Sequence, residues 1–235
     1  MKRTIALLSV LAVSSVLSAR ADILAQWTFE TSLPAGQPGA GVALTDIAAE
    51  VGTGVASGFH VGDSVYSNPV GNGSAESFSS TLWAVGDFYQ FQFSTIGFTG
   101  IGISFDATSS NTGPRDFGVY YSVNGDPFTA IGGAEYSVLA NAAPNTAWTG
   151  GTYNPAYNFV FDLSTITALD NATSVEIRLV NLSTVSANGG TVAATGTSRV
   201  DNFTAFSPVP EPSTAVLAIL GGLLGFAFLR RQRQS

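Results

Sequence analysis

A serine nucleophile needs a base within hydrogen-bond reach, and the single histidine of this 235-residue chain is His60. It stands just ahead of Ser64 in Gly62-Asp63-Ser64-Val65, and no Asp-x-x-His follows downstream. Gly-x-Ser-x-Gly, His-Glu-x-x-His and a phosphate-cradling glycine loop are absent from the sequence. Paired carboxylates hydrolyse glycosides when they flank the scissile bond, but the acidic residues here scatter among strands and turns, and no spacing nominates a pair. With one histidine and no cysteine there is no nitrogen or sulfur set for a transition metal, no thiol chemistry and no disulfide framework. The Ser64 block reads as a turn, His60 as an ordinary loop or surface residue, and the protein as a non-enzyme.

The residues with a chemical message lie at the ends. Val209-Pro210-Glu211-Pro212-Ser213 places two prolines around a glutamate. Proline forbids helix at its own position and disfavours it at the residue before, so this stretch is held extended and accessible. Thr214 to Leu229 follows without a charge, and Arg230, Arg231 and Arg233 close the run. Sixteen helical residues span about 24 Å, short of the ~30 Å hydrocarbon core. Local thinning and snorkelling arginines absorb the difference, and the arginines set the C-terminus on the cytoplasmic side. At the other end, Lys2 and Arg3 precede the apolar run Ile5 to Val16, and Ala19-Arg20-Ala21 is a small-x-small site. That is a secretory signal peptide with cleavage expected after Ala21; an uncleaved N-terminal anchor is the alternative. The expected organisation is therefore a signal segment over 1–21, an ectodomain over 22–208 and a sorting and anchor segment over 209–235.

Between Asp22 and Pro208 stand three arginines (Arg115, Arg178, Arg199), no lysine and fifteen carboxylates, a formal net charge of −12. The value for the whole chain is −7. Such a surface repels phosphate backbones and excludes nucleic acid as a partner. It suits solvent or divalent cations.

The elements that would carry any site read as strands cut by Gly, Asn, Ser and Pro. Tyr89, Phe91 and Phe93 share one face, with Gln90 and Gln92 on the other. Ile101, Ile103 and Phe105 alternate in the same way, as do Phe117, Val119, Tyr121 and Val123, then Tyr157, Phe159, Phe161 and Leu163, then Val175, Ile177 and Leu179. Period two with one apolar face means sheets with one side buried. Asn124-Gly125-Asp126-Pro127 signals a hairpin turn, Ser198 to Phe206 a last strand, and Ser164 to Leu169 at most one helical turn. The predicted fold is all-β, an antiparallel two-sheet sandwich of the jelly-roll kind, between an N-terminal signal helix and a C-terminal transmembrane helix. An open barrel is the alternative.

Val209 to Ser235 resembles a PEP-CTERM sorting signal: Pro-Glu-Pro, a short transmembrane helix, then an arginine cluster, in a chain that also begins with a signal peptide. The resemblance implies recognition by an exosortase, with Pro210, Glu211 and Pro212 as substrate motif. It also implies a membrane-anchored precursor that ends at the cell surface or in the extracellular matrix of an exopolysaccharide-making bacterium. A plain anchor that is never processed is the runner-up. More loosely, Trp27-Thr28-Phe29-Glu30, Tyr120 to Gly125 and Arg199-Val200-Asp201-Asn202-Phe203 resemble exported proteins with this tail, and the first and last strands resemble those of jelly-roll carbohydrate-binding modules. In such modules an acid of the first strand and one of the last hold a structural calcium. Glu30 and Asp201 match those places, and calcium needs only clustered oxygens. Trp83, Trp148 and Tyr153, in loop-like contexts, are the aromatics that would meet a sugar if exposed. Two readings of the ectodomain stay open: a structural or adhesive surface protein, and a module that binds extracellular polysaccharide.

Overall fold

A computed structural model describes residues 21–208; the expected signal segment, but for Ala21, and the expected sorting and anchor segment from Val209 onward lie outside the described residues. Among the described residues no helix is long and apolar enough to cross a membrane. Thirteen strands and two single-turn 3-10 helices, Pro155–Tyr157 and Thr167–Leu169, make up the regular structure of the described residues.

The first sheet contains β1 (Asp22–Trp27), β3 (Val51–Gly52), β5 (Val65–Ser67), β6 (Phe78–Thr81), β8 (Gly102–Ser109), β11 (Asn158–Asp162) and β13 (Ser198–Ser207). Its order is β11-β8-β13-β1-β3, with β6 also paired to β13 and β5 to β6. The second contains β2 (Leu44–Ala48), β4 (Gly54–Phe59), β7 (Phe88–Phe93), β9 (Asp116–Val123), β10 (Thr129–Ser137) and β12 (Val175–Asn181), in the order β10-β9-β12-β7-β4-β2. All these pairings are antiparallel.

The alternations read from the sequence decide which faces meet. Tyr89, Phe91, Phe93, Ile103, Phe105, Phe117, Val119, Val175, Ile177 and Leu179 are all buried. From the first sheet, Trp27 and Phe203 reach the second sheet's Phe91, at ring separations of 5.3 and 3.7 Å. Phe91 and Phe203 lie parallel, 3° apart. Trp27 keeps its indole N–H satisfied by donating to the Ile47 carbonyl at 3.0 Å, as buried tryptophans usually do. The hairpin turn is where expected, with Asn124 and Gly125 both at positive φ (52° and 88°), the signature of a type I′ turn.

His60 departs from the expectation. It is not a surface residue but fully buried. Its Nε2 lies 3.1 Å from Ser80 Oγ, and its Nδ1 lies 3.3 Å from both the Leu82 carbonyl and Asp87 Oδ2. A polar ring goes inside only where partners meet it, and three do. Hydroxyl, imidazole and carboxylate stand in line, as in a catalytic relay. Yet Ser80 and Asp87 are as buried as His60, and the rings of Trp83 and Tyr66 pack on the imidazole at 4.6 and 5.6 Å. The line ties β6 to the turn before β7 and offers no face to a substrate. Ser64 is also buried.

Candidate functional site

β13 is flanked on one side by β8 along its length and on the other by β1 and then β6. Where β1 ends and β6 has not begun, β13 carries a bulge between Asp201 and Thr204, with Asn202 at φ +52°. Asparagine tolerates that conformation better than most residues, and a bulge re-aims side chains. Here it turns Asp201 and Asn202 outward beside Asp106, the β8 residue in register with Asp201.

Two loops cover the pair. In the first, the Asn72 backbone N–H and the Ser74 hydroxyl donate to Asp201 Oδ2, at 2.9 and 2.6 Å. Gly71 must be glycine: a Cβ there would collide with Asp201 Oδ2 and the Glu76 carbonyl. In the second, Tyr153 donates to Asp106 Oδ1 at 3.4 Å, and Asn158, the first residue of β11, donates to the same oxygen at 3.0 Å. Asn202 bridges the acids, donating to Asp106 Oδ2 at 2.9 Å and Asp201 Oδ2 at 3.3 Å. Both carboxylates are fully buried. Above them opens a cleft of about 410 Å³ lined by Asp106, Tyr153, Asn158, Asn202 and Gln26, with no basic residue in its wall.

Burial beside a second carboxylate pushes the Asp201 carboxyl up to about 7, burial being the larger cause and Asp106 the smaller. Burial pushes His60 the other way, below its usual value, against the pull of Asp87. The two act oppositely on stability. Asp201, raised in the fold, contributes stability that is whole below about pH 4 and lost as pH rises through about 7. His60, depressed in the fold, contributes stability that is present above about pH 6.5 and lost as pH falls below it. Asp201→Asn should therefore abolish the decline between pH 4 and 7, leave the acid-side loss of His60, and gain on the order of a few kcal/mol at pH 8. Thermal melts from pH 4 to 8 check this; an unchanged slope in the variant refutes the assignment.

The structure ties Glu30 and Asp201 to the same loop, not to each other: Glu30 Oε1 accepts the Glu76 N–H at 2.9 Å, while Asp201 takes Asn72 and Ser74. Among the described residues no three histidine or acidic side chains converge as a metal set. N–H and O–H donors already occupy Glu30 Oε1 and both Asp201 oxygens. Trp83 and Trp148 are buried, whereas Tyr153 is 51% exposed and stands in the cleft wall. Sequence reasoning missed Asp106, Asn158 and Asn202. The one available signal was Val200 and Phe203, both core residues spaced three apart, an odd interval that marks a bulge in a period-two strand.

Compared with known families, residues 208–232 match the PEP-CTERM protein-sorting motif. The chain thus carries at its C-terminus the signal of an exported, exosortase-processed protein. No curated protein matches it. Among solved structures it is similar to the CBM22-2 xylan-binding domain from Paenibacillus barcinonensis Xyn10C, with 12% identity over 78% of this chain and 99% of that one, at a TM-score of 0.42. TmCBM61, solved with β-1,4-galactotriose, gives 12% identity over 77% and 94%, at a TM-score of 0.32. A cleaved adhesin domain of Lys-gingipain from Porphyromonas gingivalis gives 16% identity over 62% and 79%, at a TM-score of 0.36.

Proposed function

We propose that this is an exosortase substrate whose non-enzymatic ectodomain, delivered to the cell surface or extracellular matrix, is an adhesive module that binds neutral glycan units in the cleft over Asp106. The observation that carries this reading is a half-exposed aromatic ring beside convergent acceptors. Tyr153 offers a flat apolar surface to the C–H face of a sugar. The amide oxygens of Asn158, Asn202 and Gln26 accept from hydroxyls, and the buried Asp106 carboxylate holds Tyr153, Asn158 and Asn202 in place. Among the described residues no hydrogen bond uses those three amide oxygens. A cleft of a few hundred cubic ångströms with a few placed polar groups is the usual form of a small-ligand site. Its lack of cations disfavours phosphate, sulfate and uronate there.

The test is affinity electrophoresis of the exported chain through neutral polysaccharides, xylan and β-1,4-galactan included. Tyr153→Ala should weaken retention about tenfold, near 1.4 kcal/mol, and Asp106→Asn by a similar factor, since a carboxylate holds Tyr153, Asn158 and Asn202 more strongly than an amide. Retention of Tyr153→Ala equal to that of the parent chain, or no retention of the parent by any neutral glycan, would remove the reading.

A further inference from the structure

The outer face of the second sheet, on the far side of the sandwich from the cleft, holds an arginine in an unusual setting. Of the three arginines among the described residues, Arg115 forms a two-point pair with Asp116, at 2.8 and 3.1 Å. Arg199 is half-buried and donates to the Val70 carbonyl at 3.4 Å. Arg178 has no carboxylate within salt-bridge distance among the described residues, in a domain where acids outnumber bases fivefold.

Its position follows from period two on β12. Val175, Ile177 and Leu179 enter the core, so Glu176, Arg178 and Val180 face out. The guanidinium is clamped between two rings, 3.9 Å from the Phe88 centroid and 3.5 Å from the Phe128 centroid. Phe88 comes from the neighbouring strand β7. Phe128 comes from the β9–β10 turn, which is anchored by Ser122 donating to the Asp126 carbonyl at 2.6 Å and by two bonds between Asn124 and Ser174, at 2.8 and 3.0 Å. Nε donates to Gln90 Oε1 at 2.7 Å, and Gln90 in turn donates to Glu176 Oε1 at 3.3 Å. Gln90 thereby stands between Arg178 and the nearest acid. Both terminal amino groups remain unused by any hydrogen bond among the described residues. A fork of N–H donors packed against two rings and fixed at Nε is a geometry that matches a carboxylate at two points.

The clamp lies in a row that crosses four strands. Tyr120, Arg178, Gln90 and Ser57 are successive cross-strand partners, about 14 Å from end to end at normal strand spacing. Phe59 stacks on Phe88 at 5.3 Å beside it. A flat row of aromatic and amide groups suits sugar rings lying on a sheet. We propose that Arg178 is the carboxylate-reading residue of a second glycan site, one that takes uronate units of an acidic polysaccharide. This site is independent of the cleft over Asp106, which has no cation.

The experiment compares polygalacturonate with the same polymer fully methyl-esterified, so that the rings are equal and only the charge differs. The exported full-length chain is used at 0.15 M salt, where repulsion from the domain's own carboxylates is screened beyond about 8 Å. The free-acid polymer should bind at least tenfold tighter than the ester. Arg178→Gln should erase that preference. Phe128→Ala, which keeps the charge and loosens the clamp, should lower it several-fold, and Tyr153→Ala in the cleft should leave it unchanged. Melting curves of Arg178→Gln matching the parent exclude misfolding; if they do not match, Phe128→Ala carries the decision. Equal binding of acid and ester, absence of binding to both, or a preference that survives in both clamp variants would overturn the proposal.

Discussion

Replacing Pro210 and Glu211 together by alanine should leave export intact and stop processing, so that full-length chain accumulates in the inner membrane. The motif match covers these residues, and its chemistry is that of a substrate. A protease-like site needs extended, exposed backbone, and alanine at 210 frees residue 209 to turn toward helix. The described domain adds a reason for the tail to be the sensitive place. β13 ends at Ser207, paired to Asp22 on one side and, through Phe206, to Gly102 on the other. The Ser207 hydroxyl donates to the Thr99 carbonyl at 2.5 Å. A strand held on both edges does not yield its last residues to an enzyme, so processing is expected beyond it. A C-terminal tag followed by blotting, in a host with an exosortase and in one without, measures the outcome. Identical fragments in both hosts, or normal processing of the double variant, would leave the tail a simple anchor. Removing residues 230–235 should act differently and disturb orientation, because arginines flanking an anchor would set its topology.

Phe203→Ala is expected to be the most damaging single truncation in the sandwich, at about 3–5 kcal/mol. The ring is fully buried and touches both sheets. It lies on Phe91 at 3.7 Å, edge-on to Trp27 at 5.8 Å and parallel to Phe105 at 6.0 Å. Interior packing is too dense for neighbours to refill such a hole. With no cysteine to cross-link the chain, nothing covalent limits the loss. For a domain of this size the melting temperature should fall by roughly 6–20 °C. Val160→Ala is the control, since Val160 is 62% exposed on the edge strand β11 and should cost under about 0.5 kcal/mol. Urea unfolding of both variants decides, and a loss below about 1 kcal/mol for Phe203→Ala would mean that the two sheets do not share this core.

The sequence alone determined the fold class and the address. Alternation of apolar residues every second position is a local property: a strand with one buried face must show it, whatever lies across from it. The turn at Asn124-Gly125 and the order of Pro-Glu-Pro, apolar run and arginines are local in the same sense, and all are read along the chain without knowing its path. Tertiary structure alone decided the sites. Asp106 alternates with Ile103 and Phe105 as a solvent-facing residue would, and it is buried because Tyr153, Asn158 and Asn202, all distant in sequence, close over it. His60 looked like a polar loop residue, and its three partners come from Ser80, Leu82 and Asp87, some twenty or more positions away. Trp83 and Trp148 lacked the strand alternation that announces burial, yet they fill the interior, whereas Tyr153 stays at the surface. Which acids lie together, and which of three arginines is left without a carboxylate, depends on strand register. Register is settled only when whole faces pack, because moving a strand by one residue exchanges the core set for the solvent set.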